Sequence, residues 1–133
     1  MPHRTGRLEL SLAIAAGGVL GALARAGLER QFLWDGHSWP WPTFGVNVAG
    51  ALLLGFFVTR LQERLPPSTF RRPLLGTGFC GALTTFSTYQ LELLQLVHHH
   101  RISIAVAYGA ASLAAGFLGC HLASALSRRA RLA

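Results

Sequence analysis

Three stretches of the chain lack Asp, Glu, Lys and Arg altogether: Gly36–Thr59, Pro73–Leu91 and Ile102–Ser127. Each reaches the roughly 17–25 predominantly apolar residues that a helix needs to cross a bilayer. A fourth apolar stretch, Leu10–Ala24, is long enough only if it continues past Arg25. The pattern predicts an all-α membrane protein of four transmembrane helices, over about residues 8–28, 41–61, 72–97 and 102–126. At 133 residues it is one domain, 1–133.

Polar punctuation separates the spans. Asp35, Gly36, His37 and Pro40 are turn formers. Trp34, Trp39 and Trp41 cluster beside them, as in an aromatic belt at a membrane surface. Pro66-Pro67 and Arg71-Arg72-Pro73 make the second connection, and His98-His99-His100-Arg101 a tight third one. Three adjacent histidines suggest a metal. Neighbours in sequence do not converge on one ion in a helix, however, so the expectation is a solvated turn.

Composition agrees with the membrane reading. Charged residues are 13% of the chain, about half the share typical of soluble domains. A net charge of +7 invites nucleic acid as a partner. All twelve basic residues are arginine, though, and they sit in short clusters between apolar runs. That arrangement is membrane topology, and no nucleic acid is expected. Arg4, Arg7, Arg60, Arg64, Arg71, Arg72, Arg128, Arg129 and Arg131 fall on one side. Arg30, Arg101 and Arg25 fall on or near the other, which places both termini in the cytoplasm. Cys80 and Cys120 form no CxxC pair and read as small buried thiols. Arg4 and Arg7 ahead of an apolar stretch, with Ala22-Leu23-Ala24 after it, imitate a signal peptide. Three further spans would hold the chain in the membrane in any case. Gly17 and Gly21, and Ala111, Ala115 and Gly119, recur at intervals of four and predict close helix packing, within the chain or between chains.

Polar groups at membrane depth are the candidates for function. Arg25 lies in the first span, Asn47 about two turns into the second, and Thr84-Thr85-Phe86-Ser87-Thr88-Tyr89 near the middle of the third. Taken singly, Arg25 snorkels to the interface, Asn47 glues helices, and hydroxyls bond back to their own backbone. Four hydroxyl residues in five positions, after Gly76, Gly78 and Gly81, go further. Glycine and β-branched residues are poor helix material. The third helix is therefore expected to break near its middle, which is tolerated at depth only in protein or beside a cavity. Freed carbonyls there bind cations, while freed amides and hydroxyls bind anions. The donors favour an anion, because Glu92 is the only carboxylate well inside the spans. The positive edges of Phe86 and Tyr89 suit an anion too.

These residues resemble the small bacterial fluoride channels of the Fluc (CrcB) family. The resemblance rests on Gly17-Gly18-Val19-Leu20-Gly21-Ala22 followed by Arg25, on Thr43-Phe44-Gly45-Val46-Asn47-Val48-Ala49-Gly50, and above all on Gly78-Phe79-Cys80-Gly81-Ala82-Leu83-Thr84-Thr85-Phe86-Ser87-Thr88-Tyr89. It implies a fluoride-selective channel, not an enzyme, in the bacterial inner membrane, letting fluoride leave the cytoplasm passively and so lowering its toxicity. It implies an antiparallel, dual-topology dimer with two fluoride pathways along the subunit interface. The family's pore asparagine matches Asn47, its two pore phenylalanines match Phe86 and Tyr89, and its fourth-helix hydroxyl matches Ser112. Ser87, Thr88 and Arg25 join that pathway, and Thr43, Thr85 and Glu92 match further family positions. A structural sodium ion, not transported, is implied at backbone carbonyls matching Gly81 and Thr84.

Two departures stand out. Tyr89 replaces the usual phenylalanine, and its hydroxyl adds a donor or narrows the path. The arginine bias is large for a subunit that inserts both ways, which leaves two dimers open: this chain with itself, or with an oppositely oriented paralogue. A small multidrug exporter would want a first-helix glutamate at depth, and only Glu9, at the membrane edge, is available. A scaffold without transport leaves the run from Thr84 to Tyr89 unexplained. No nucleophile–base pair or metal-ligand set suggests an enzyme.

Overall fold

The structure, a computed structural model, describes residues 3–63 and 70–129, with side chains for 6–61 and 70–129. Arg64, Pro66-Pro67 and Arg131 of the topology argument lie outside the described residues, as does the side chain of Arg4. Five elements and a π-helix follow one another: α1 (His3–Gln31), α2 (Trp41–Glu63), a π-helix (Pro73–Cys80), α3 (Gly81–Leu83), α4 (Phe86–His98) and α5 (Ile102–Arg129). Among the described residues, stretches of α1, α2 and α5 are each long and apolar enough to cross a membrane. Large apolar side chains face outward all along them, including Leu12, Leu23, Val106 and Phe117. In water such faces would drive association; against lipid tails they are at rest.

The helices pair in two layers. α1 lies on the π-helix and α3, and α2 lies on α5. α4 packs on α5 and touches α2, with no contact to α1 among the described residues. The segment from Pro73 to His98 therefore changes partner at Thr84 and Thr85, leaving α1 and joining α5. Glycine makes the first layer possible. A Cβ on Gly17 would fall on the carbonyl of Leu74, one on Gly21 on the carbonyl of Phe79, and one on Gly78 within 2.5 Å of the carbonyl of Ile14. Gly55 does the same work in the second layer, where a Cβ would fall on the carbonyl of Cys120, while one on Gly119 would meet the Leu52 side chain only at an ordinary contact distance of 3.5 Å. The small-residue spacing thus serves packing inside the chain at Gly17 and Gly21. Gly18 is a built-in control, since a Cβ there meets nothing within 4 Å. We expect Gly17→Ala to destabilise the protein by about 1–3 kcal/mol through overpacking. Gly18→Ala should be neutral, or stabilising by up to about 1 kcal/mol through helix propensity. Unfolding midpoints in detergent check this; equal midpoints would remove the close approach from the account.

The loop between α1 and α2 meets the turn between α4 and α5, with the His37 and His99 rings 4.3 Å apart. Both connections therefore sit at one end of the molecule. Asp35 Oδ1 accepts hydrogen bonds from the backbone N–H groups of His37 and Ser38 and from the Ser38 hydroxyl, all at 2.9 Å. These bonds, those from Ser38 and His37 amides foremost, hold the carboxyl at a pKa of about 2, so it stays charged at any physiological pH. The histidine turn ends α4 by a Schellman pattern: Arg101 N–H bonds to Leu96 O at 2.8 Å and His100 N–H to Val97 O at 3.0 Å. His100 takes the left-handed conformation this requires, at φ 60°. Among the described residues no three His, Cys, Asp or Glu side chains converge on a metal position. Both cysteines are free, Cys80 buried and Cys120 half-buried.

Candidate functional site

Thr84 and Thr85 leave helical geometry, at φ/ψ of −76°/151° and −139°/122°. Extended residues need other hydrogen-bond partners for their backbone, and one side chain supplies both for Thr85. Asn47 Oδ1 accepts from the Thr85 N–H at 2.8 Å, and Asn47 Nδ2 donates to the Thr85 carbonyl at 3.1 Å. Thr85 then caps α4, its Oγ1 accepting from the Thr88 N–H at 3.2 Å. The same hydroxyl donates to Thr88 Oγ1 at 3.0 Å and lies 3.4 Å from Ser87 Oγ. Upstream, Arg25 Nε donates to the Ala82 carbonyl at 3.2 Å, while its Nη1 pairs with Glu29 at 3.3 Å.

This pinning releases two carbonyls. In an uninterrupted helix the Thr85 N–H would bond to Gly81 O, and the Thr88 N–H to Thr84 O. Here Asn47 takes the first N–H and Thr85 Oγ1 takes the second. The carbonyls of Gly81 and Thr84 therefore lose their helical donors, and Gly81 lies at the surface of the chain.

The break opens a groove of about 230 Å³ lined by Asn47, Thr84, Thr85, Phe86, Tyr89, Ser112 and Leu113. Its size suits a small ion better than a drug-sized ligand, whose pockets run to about 300–1,000 Å³. Ser112 contributes a buried hydroxyl with no hydrogen-bond partner. Phe86 is 71% exposed and Tyr89 buried, with ring centroids 5.9 Å apart. The Tyr89 hydroxyl donates to the Gly109 carbonyl of α5 at 3.4 Å. A larger cleft of about 510 Å³ runs between the end of α1, the loop and the outward side of α2. Apart from its indoles, only Asp35 and Ser38 are polar in it, so it offers no converging set of donors.

Six of the residues singled out in the sequence thus meet at the groove: Asn47, Thr84, Thr85, Phe86, Tyr89 and Ser112. Ser87, Thr88 and Arg25 do not line it; the first two surround the cap hydroxyl and the third braces the chain before the break. Thr43 and Glu92 lie in a buried cluster with a residue the sequence did not single out, Tyr108. Thr43 Oγ1 donates to Glu92 Oε1 at 2.5 Å and the Tyr108 hydroxyl donates to Glu92 Oε2 at 2.7 Å. The Tyr108 ring stands 5.3 Å from that of Tyr89, so this cluster adjoins the groove. Tyr108 lies one helical turn before Ser112, the only sequence signal that would have found it.

Fold and site together define a multi-pass helical membrane protein with a donor-lined groove at an interrupted helix. Residues 12–124 match the family described as CrcB-like protein, Camphor Resistance (CrcB), and the chain belongs to that family. It is 58% identical over 120 residues to the "Fluoride-specific ion channel FluC 1" of Mycolicibacterium paratuberculosis, covering 90% of this chain and 91% of that one. It is 56% identical over 132 residues to the protein of the same name in Mycobacterium bovis, covering 99% and 98%. A more distant relative, "Fluoride-specific ion channel FluC" of Acidobacterium capsulatum, is 38% identical over 118 residues, covering 87% and 94%.

Proposed function

We propose that this chain forms a fluoride-selective channel in the bacterial inner membrane, through which fluoride leaves the cytoplasm down its electrochemical gradient. The observation that carries the proposal is the groove at Thr84 and Thr85, where hydroxyl, amide and ring-edge donors converge and no carboxylate is present. Fluoride is small and strongly hydrated, so a selective path replaces its water with several close donors. Asn47 uses one amide hydrogen on Thr85 and turns the second to the ion. Ser112 adds its unpartnered hydroxyl, and Phe86 and Tyr89 add ring edges. Each contact is modest, which lets the ion move on. Weak acid carries fluoride into cells from acidic surroundings, and a passive anion path returns it.

The functional unit in this reading is an antiparallel dimer. The groove is open along Phe86 and Leu113, each 71% exposed, and a second copy or an oppositely oriented paralogue covers that side. The arginine bias favours one orientation per subunit, with both termini in the cytoplasm. The freed carbonyls of Gly81 and Thr84 fit a structural sodium, since a hard cation takes neutral oxygens without charged side chains. Sodium would add positive potential beside the path. Replacing it on both sides with a large organic cation is expected to lower fluoride flux; a channel indifferent to the exchange would count against the carbonyl site.

The test is efflux from liposomes containing the purified chain. Fluoride is expected to leave and chloride to stay. If fluoride is retained both with this chain alone and after co-expression with a paralogue, the channel reading fails.

A further inference from the structure

We propose that the indole N–H of Trp39 is a further fluoride donor, at the loop end of the pathway. The inference rests on the channel reading above and extends it past the groove. Trp39 Nε1 is buried and has no hydrogen-bond partner. A buried donor left unpaired costs about 1–3 kcal/mol, so each one in a native fold calls for a partner such as an ordered water or an ion. The other loop indole shows the ordinary solution, Trp34 Nε1 donating to the Ser38 carbonyl at 2.9 Å.

Position gives the unpaired donor its meaning. An unbroken line of rings leads to it from the helix break: Phe86 to Tyr89 at 5.9 Å, Tyr89 to Tyr108 at 5.3 Å, and Tyr108 to Trp39 at 5.5 Å. The last contact is edge-to-face, with the ring planes at 77°. Phe44 meets Trp39 in the same way, at 5.5 Å and 78°. Trp39, in the loop that joins α1 to α2, is thus fixed against the buried Tyr108 on one side and lines the larger cleft of about 510 Å³ on the other. Free donors stand at the two ends of this line, the Ser112 hydroxyl at the groove and the Trp39 N–H at the loop end, while the Tyr108 hydroxyl between them is committed to Glu92. Spaced donors of this kind let an ion regain water in stages instead of all at once.

The experiment follows the three indole N–H resonances by ¹H–¹⁵N spectroscopy of the full-length protein in detergent, titrated with sodium fluoride at constant ionic strength against sodium chloride. Trp34→Phe and Trp41→Phe assign the peaks and leave Trp39 native. The Trp39 proton is expected to move downfield and saturate with fluoride alone, while the Trp34 proton stays in place. In liposomes, Trp39→Phe keeps a ring and loses the donor, and fluoride flux should fall about tenfold, as for one hydrogen bond to a charged group. A Trp39 resonance that ignores fluoride, or answers chloride equally, in a preparation that conducts fluoride overturns the proposal. Undiminished flux through Trp39→Phe does the same. A preparation that passes no fluoride at all overturns the channel reading beneath it.

Discussion

Replacing Asn47 by Asp is expected to abolish fluoride flux. The substitution keeps the size of the side chain and reverses half of its chemistry. Asn47 Oδ1 accepts from the Thr85 N–H, a role a carboxylate also fills. Its Nδ2 donates to the Thr85 carbonyl at 3.1 Å, and there aspartate sets oxygen against oxygen. The Thr85 carbonyl loses its donor, a penalty of about 1–3 kcal/mol. A negative charge would also stand beside the path of an anion. At about 4 Å and an effective dielectric constant near 20, that repulsion is about 4 kcal/mol. Occupancy of the groove would fall by about a thousandfold, since each 1.4 kcal/mol is a factor of ten. Fluoride efflux from liposomes at matched protein density gives the answer, after size-exclusion chromatography shows the variant assembled as wild type. Unchanged flux would remove Asn47 from the mechanism.

Replacing Glu92 by Ala should have the second large effect, this time on folding as well as flux. Glu92 is 6% exposed, Thr43 2% and Tyr108 0%, so water cannot replace a lost partner. Alanine leaves two buried hydroxyls unpaired, at about 1–3 kcal/mol each, and opens a cavity besides. Glutamine is the informative comparison. Its carbonyl accepts from one hydroxyl and its amide donates to the other, so both contacts survive once one hydroxyl turns round. The unfolding midpoint in detergent should therefore drop steeply for Glu92→Ala and slightly for Glu92→Gln. Equal drops would mean that the side chain's volume, not its hydrogen bonds, holds Tyr108 in place.

The pattern of apolar runs was sufficient to place α2 and α5, because a bilayer-length run without charge has few other uses; α1 had to be read through Arg25, and the run Pro73–Leu91 fell on the π-helix, α3 and the start of α4 instead of one long helix. Hydroxyl residues after closely spaced glycines drew attention to the place where Thr84 and Thr85 leave helical geometry, since neither favours a helix. Asn47 and the hydroxyls of Thr84 and Thr85 were legible because they are polar where lipid makes polarity costly, whereas Ser112 came only with the family resemblance. What stayed hidden is the division of labour among them. That Ser87 and Thr88 gather round the cap hydroxyl, while Ser112 lines the groove, depends on rotamers and on the neighbouring helix. Sequence spacing alone carries neither. Arg25 showed as an anomalous charge, but not that it would be fixed on the Ala82 carbonyl. Tyr108 gave almost no signal, because one tyrosine in an apolar helix is unremarkable until Glu92 and Thr43 are brought against it. The change of packing partner at Thr84 and Thr85 is likewise a tertiary fact. It explains why the helix breaks there: α1 and α5 claim the two halves, and Asn47 pins the crossing between them.

The central claim is that fluoride itself crosses through this groove, passively and in preference to other ions. The most direct measurement is the reversal potential in a planar bilayer with a tenfold fluoride gradient and sodium and total anion balanced by chloride. A tenfold ratio is worth about 1.4 kcal/mol, and one charge moved through 100 mV is worth about 2.3 kcal/mol. A fluoride-selective path therefore reverses at about 60 mV, with the sign set by fluoride. Reversal near zero would mean that chloride or sodium passes as well, and would contradict the account.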